Sequence, residues 1–137
     1  MKCLDTTFLI DIVEHPAETK RISEQLEVRG EVLATTAFNA YEALYGVHAV
    51  RDSGQRAKLL ELYTRVFSRL VVLPLTLEDA ARAAELGGEL RRKGEDVGAD
   101  SLTAAVAIRN GCDTIVTRNI DHFNRLGRSG GFEVASY

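Results

Sequence analysis

The sequence predicts an α/β fold: a central, mainly parallel β-sheet of four or five strands flanked by helices. Two observations carry this. Short runs rich in Val, Ile, Leu and Thr alternate with longer segments whose apolar residues recur at helical spacing. That alternation is the signature of strands joined by crossover helices, which forces neighbouring strands to run parallel. In addition, acidic and amide side chains follow several of the predicted strands, and parallel sheets bind ligands at the carboxyl ends of their strands.

The elements follow in order. Lys2 to Leu4 reads as a strand that ends at Asp5. Thr6 to Glu14 places Phe8, Leu9, Ile12 and Val13 on one helical face. Pro16 suits a helix start, Ile22, Leu26 and Val28 are expected to face inward, and Gly30 stops that helix. Residues 31–35 (EVLAT) form the second strand. From Ala37 to Val50 the residues Phe38, Tyr41, Leu44, Tyr45 and His48 recur at helical spacing. Ser53 is the expected N-cap of a further helix whose apolar face is Leu59, Leu62, Tyr63, Val66 and Leu70. Residues 71–75 (VVLPL) form the third strand, and Pro74 marks an edge or an exit because it lacks an N–H for the ladder.

Thr76 with Asp79 resembles a capping box at the start of an alanine-rich helix that runs to about Lys93, weakened in its middle by Gly87 and Gly88. Asp100 to Asn110 is small and apolar on several faces, which suits a buried helix, and Gly111 stops it. Residues 114–117 (TIVT) form the fourth strand. A short turn or helix spans Asp121 to Leu126, and residues 132–135 form the fifth strand. No repeat, low-complexity tract or linker divides the chain, so residues 1–137 are expected to be one domain.

Composition narrows the function. Apolar residues make up 45% and charged residues 27% of the chain, which is ordinary for a globular domain. No apolar stretch approaches the roughly 20 residues needed to cross a bilayer, and no basic-then-apolar leader opens the chain, so a cytoplasmic protein is expected. Cys3 and Cys112 match no zinc or redox spacing and are expected to pack as small apolar groups. A net charge of −3 argues against a surface that grips nucleic acid throughout, but not against an enzyme that meets nucleic acid through a bound cation. The motifs GxxxxGK[ST] and GxGxxG are absent. His15, His48 and His122 lack metal-ligand spacing and are expected to be structural or superficial, and Asp11, Glu14, Asp79 and Asp113 to be surface or capping groups.

The remaining polar residues occupy equivalent places. Asp5 follows the first strand. Glu42 lies on the helix after the second. Asp100 opens a helix of small residues. Asn119 and Asp121 follow the fourth strand. In a doubly wound sheet these groups converge on one rim, where carboxylates repel and raise one another's pKa. A divalent cation removes that repulsion, and oxygen ligands suit Mg²⁺ or Mn²⁺ rather than zinc. Such an ion polarises a phosphodiester oxygen and lowers the pKa of water from about 16 toward neutrality. Asp5 and Asp100 equally suit helix N-caps, and Glu42 a helix surface.

Four stretches in order, CLDTTFLID, TTAFNAYEALYG, VGADSLTAAVAI and TIVTRNIDHF, resemble the PIN-domain family, especially its VapC-type toxin ribonucleases. The resemblance covers nearly the whole chain. It implies a PIN-like parallel sheet and a metal-dependent endoribonuclease, with Asp5, Glu42, Asp100 and Asn119 as the catalytic set. Asp5 and Asp100 would be the direct ligands of Mg²⁺ or Mn²⁺, and Thr6, Thr117 and Asp121 would support them. Many family members carry Asp where this chain has Asn119, which keeps an acceptor oxygen but brings no negative charge. Thr7 stands where Asn is common, which implies a weaker polar contact. The resemblance further implies an RNA substrate, a small antitoxin partner, a homodimer and a higher toxin–antitoxin assembly. Two other readings compete: a PIN nuclease of RNA processing without an antitoxin, and a Mg²⁺-binding signalling receiver domain. The receiver needs a phosphoacceptor Asp after its third strand, where VVLPLTLEDA offers only Asp79.

Overall fold

The computed structural model describes residues 1–137. Five strands form one sheet, β1 (Lys2–Leu4), β2 (Leu33–Thr36), β3 (Val71–Leu73), β4 (Thr114–Val116) and β5 (Glu133–Ala135). Its spatial order is β3-β2-β1-β4-β5, and every pairing is parallel. Seven helices cover it: α1 (Thr6–Glu14), α2 (Pro16–Val28), α3 (Ala37–His48), α4 (Ser53–Phe67), α5 (Leu77–Arg92), α6 (Asp100–Arg109) and α7 (Ile120–Gly130).

The sheet separates two cores because successive strand side chains point to opposite faces. Cys3, Ala34, Leu73 and Ile115 pack with α5, α6 and α7 residues such as Leu86, Leu90, Val106, Phe123 and Leu126. Leu4 and Val116 pack on the other side with Phe8, Leu9, Ala43, Val47 and Tyr63 from α1, α3 and α4. Burial on both faces explains why the strands read as short continuous apolar runs. Cys3 and Cys112 are free and buried in the first of these cores, as small apolar groups are expected to be.

Local chemistry fixes the helix ends. Pro16 occupies the first turn of α2. The Thr36 hydroxyl caps α3 by accepting from the Asn39 amide at 3.0 Å. The capping box of α5 is formed in full, with the Asp79 amide donating to Thr76 Oγ1 at 3.2 Å and the Thr76 amide to Asp79 Oδ2 at 2.9 Å. Helix α5 runs unbroken through Gly87, because a Cβ there would lie 3.2 Å from Ser101 Oγ of α6, so the glycine lets the two helices meet closely. Gly131 ends α7 with φ +72°, a backbone state that glycine adopts without steric cost.

Several expectations are corrected. Strand β2 is shifted to Leu33–Thr36, since its register against β1 starts at Leu33 and Thr36 pairs with Leu73. Strand β3 stops at Leu73, and the Pro74 carbonyl instead accepts from Arg109. The cap of α4 is Asp52, which accepts from the Gln55 amide at 2.6 Å, and not Ser53. Val28 is 88% exposed because α2 turns that residue away from the sheet at its last turn. Asp11 is buried, held by Arg118 and by Tyr137, whose hydroxyl donates to Asp11 Oδ2 at 2.6 Å. Asp79 is a cap and is also buried, because Arg109 closes over it.

Candidate functional site

The strand order creates the site. From β1 the chain winds outward to β2 and β3, then returns to place β4 on the opposite side of β1. The connections leave β1 and β4 in opposite directions, which opens a crevice beyond their carboxyl ends. Asp5 and Thr117 each stand one residue beyond those ends.

Asp5 occupies the N-cap position of α1, but its side chain caps no amide. Its Oδ2 accepts from Thr117 Oγ1 at 2.8 Å and from Thr7 Oγ1 at 3.1 Å. The carboxyl is only 3% exposed. Burial pushes its pKa above the ordinary value and the Asp100 charge adds to the rise, while the Thr117 and Thr7 hydroxyls and the Thr6 amide oppose it. Thr7 makes a direct polar contact to Asp5. It also accepts from the Arg118 amide at 3.0 Å, tying the start of α1 to the segment after β4.

Asp100 opens α6 without capping it. Its Oδ2 accepts from Asn119 Nδ2 at 2.6 Å and lies 2.7 Å from His122 Nδ1. The Asn119 amide donates to Thr117 Oγ1 at 2.9 Å, so one hydrogen-bonded path runs from Asp100 through Asn119 and Thr117 to Asp5.

Glu42 is reached from the other flank. Thr6 Oγ1 lies 2.5 Å from Glu42 Oε2 and 3.3 Å from Asn39 Oδ1, and its single proton goes to the nearer carboxylate. Asn39 is fully buried. Its Nδ2 donates to the Leu4 carbonyl at 3.1 Å, and its Oδ1 accepts from Thr103 Oγ1 at 2.6 Å. One amide thus joins β1, α3 and α6.

The crevice brings Asp5, Asp100, Asn119 and Thr117 into one network, and Glu42 is held separately by Thr6, the residue next to Asp5. Asp121 is exposed and stands outside it. No three Asp, Glu, His or Cys side chains close around a single point as a ready cage for an ion. The donor chemistry nevertheless fits a hard divalent cation. Asp5 and Asp100 are each tethered through Oδ2, and no side-chain donor reaches either Oδ1.

Sequence reasoning missed Asn39 and His122. Each carried a signal: Asn39 sits three residues before Glu42 on the same helix, and His122 three residues after Asn119, the spacing at which helical side chains share a face.

Comparison with known proteins finds the same fold. The VapBC complex of Salmonella typhimurium bound to DNA is 25% identical, with 98% of this chain and 96% of that chain covered and a TM-score of 0.81. VapBC2 of Rickettsia felis, bound to a DNA fragment from its promoter, is 23% identical over 99% of this chain and 98% of that one, with a TM-score of 0.79. VapBC-5 of Mycobacterium tuberculosis, a member of the VapBC family of toxin–antitoxin systems, is 24% identical over 99% and 98%, with a TM-score of 0.71. No curated protein matches the chain. The PIN domain family pattern matches residues 2–129, nearly the whole length, and the chain belongs to that family.

Proposed function

We propose that this chain is the toxin of a VapBC-type pair, an endoribonuclease that hydrolyses RNA phosphodiester bonds with Mg²⁺ or Mn²⁺. The observation that carries this reading is the paired tethering of Asp5 and Asp100 at the β1–β4 crevice, with one oxygen of each left for a cation. In this reading Asp5 and Asp100 are the ligands. When bound, the cation supplies positive charge that polarises a phosphodiester oxygen and acidifies water. Glu42, held through Oε2 by Thr6, keeps Oε1 to accept a proton. Thr117 and Thr6 fix these carboxylates, and Asn119 fixes Asp100.

The solved VapBC neighbours support a small antitoxin as partner. An apolar groove of about 570 Å³ runs between α1, α2 and α4, lined by Phe8, Ile12, Leu26, Leu62 and Val66, with Arg65 and Glu27 among its polar residues. It suits an apolar antitoxin segment. Tyr41 and Tyr45, 60% and 67% exposed on α3, suit a second copy of the chain and hence a homodimer within a larger toxin–antitoxin assembly. No helix is long and apolar enough to cross a membrane. The free Cys3 and Cys112 accord with the reducing cytoplasm that we assign.

The test is cleavage mapping on total cellular RNA with Mg²⁺, with Mn²⁺ and with EDTA. Discrete cuts that vanish in EDTA and in Asp5→Asn are expected, the variant losing about 100-fold or more in rate. Cleavage by Asp5→Asn at the wild-type rate would overturn the assignment.

A further inference from the structure

We propose that His122 is a positioning residue: together with Asn119 it fixes Oδ2 of Asp100, so that Oδ1 is the oxygen offered to the cation. This rests on the nuclease reading above.

Asn119 precedes α7 and His122 lies in its first turn, so the two side chains stand three residues apart on one face and reach the same atom. Asn119 Nδ2 is 2.6 Å and His122 Nδ1 2.7 Å from Asp100 Oδ2. The tautomer follows from these contacts. An ionised carboxylate oxygen only accepts, so at that distance Nδ1 carries the proton. Asn119 Nδ2 is a donor as well. Its 2.9 Å separation from His122 Nδ1 is therefore the side-by-side spacing of two donors on one acceptor, not a bond between them.

Two donors fill the accepting capacity of Oδ2 and leave Oδ1 unclaimed. Asp5 repeats the arrangement with different chemistry, Thr7 and Thr117 both landing on its Oδ2. The need is greater at Asp100, whose side chain is 25% exposed and would otherwise rotate freely, whereas Asp5 is buried. The two tethers are also joined, because the backbone N–H of Asn119 donates to Thr117 Oγ1, the same hydroxyl that holds Asp5. Groups that orient a metal-binding carboxylate in this way typically matter about 10–100-fold in metal affinity.

The experiment titrates Mn²⁺ alone, without RNA, into the full chain by isothermal calorimetry, with free Mn²⁺ followed by electron paramagnetic resonance. His122→Ala is expected to bind about tenfold more weakly than wild type or worse. His122→Asn, whose Nδ2 takes the place of the ring Nδ1, is expected to return to within about threefold. His122→Leu, which keeps bulk and drops the donor, replaces His122→Ala if melting curves show that the latter is unfolded. Wild-type affinity in the folded donor-less variant would overturn the proposal while leaving the nuclease reading intact, provided Asp100→Asn loses Mn²⁺. A His122→Asn variant as weak as His122→Ala would overturn it in favour of the ring as a ligand itself. Wild type that binds no Mn²⁺, or an Asp100→Asn variant that binds as tightly, would bring down both readings together.

Discussion

Asp5 shows how one residue carries opposing demands. Its carboxylate is buried at a strand end, where desolvation and the Asp100 charge raise its pKa and the hydrogen bonds from Thr117 and Thr7 only partly offset them. A carboxyl whose folded pKa is raised binds its proton more tightly in the folded state. Its favourable contribution is complete below the unfolded value near ~3.9 and is lost as pH rises through the folded value. Asp5→Asn keeps an acceptor oxygen for Thr7 and Thr117 and removes the charge. In EDTA at about pH 7 that variant is expected to melt roughly 2–6 °C above wild type, and the gap should close as pH falls below about 4. Calorimetry over that range decides it. A melting temperature below wild type at about pH 7, with the deficit closing in acid, would show that the hydrogen bonds to the ionised form outweigh its desolvation. The sequence placed Asp5 in the site because a carboxylate ending an apolar strand is conspicuous. It hid His122, because an isolated histidine near a helix start says nothing about the atom it meets 22 residues back in the chain.

At the scale of elements, the first turn of a helix serves more than its own cap. Asp79 closes the capping box of α5 and receives a two-pronged hydrogen bond from Arg109 at the end of α6, Nε at 2.7 Å and the terminal nitrogen at 2.9 Å. Arg109 also donates to the Pro74 carbonyl after β3, at 3.0 Å, so three elements are tied at one carboxylate. The Arg109 hydrogen bonds hold the Asp79 carboxyl below its ordinary range. Its stabilising effect is therefore present above the unfolded value near ~3.9 and lost as pH falls through the folded one. Asp79→Ala is expected to cost about 2–4 kcal/mol from the lost cap and charged hydrogen bonds together. Urea unfolding should show the difference at neutral pH and show it shrinking in acid. The cap was legible as a Thr and an Asp three apart. The Arg109 contact was not, since it spans 30 residues and depends on how α5 and α6 pack. Helix α7 illustrates the opposite choice. Asn119 stands where a cap belongs but donates to Asp100 instead, so local helix chemistry yields to the site.

For the molecule as a whole, the question is which apolar surface the fold leaves over. Most of the large residues between Phe38 and Leu70 are used within the chain: Tyr63 is buried, and Leu44, Leu59, Leu60, Val66 and Phe67 pack against the same core. Tyr41 and Tyr45 are not used this way. Their rings lie 5.8 Å apart and remain exposed. If this face joins two copies, Tyr41→Ser with Tyr45→Ser should weaken self-association about tenfold or more. The melting temperature of the monomer should move little, because neither residue supports the core. Light scattering across a concentration series, beside a thermal melt, tests both halves. Unchanged assembly would place the dimer elsewhere.

The sequence by itself determined the element order, the parallel sheet and the candidacy of Asp5, Glu42, Asp100 and Asn119. The element order and the sheet depend on hydrophobic period, caps and breakers, which act over a few residues, whereas the candidacy of that set rests on polar residues following strands and on the resemblance to the PIN-domain family. Tertiary structure alone decided which oxygen of each carboxylate is held, that Asn39 anchors β1, α3 and α6 together, and that Asp11 and Asp79 are buried behind arginines. Apart from Thr7 on Asp5, such contacts join residues 19 to 112 positions apart. Those that reach Asp5 from Thr117 and Asp11 from Arg118 exist only once the strand order has brought β4 back beside β1, and the Arg109 contact only once α6 packs on α5. A polar side chain's partner is set by that packing geometry, and no local pattern in the chain encodes it.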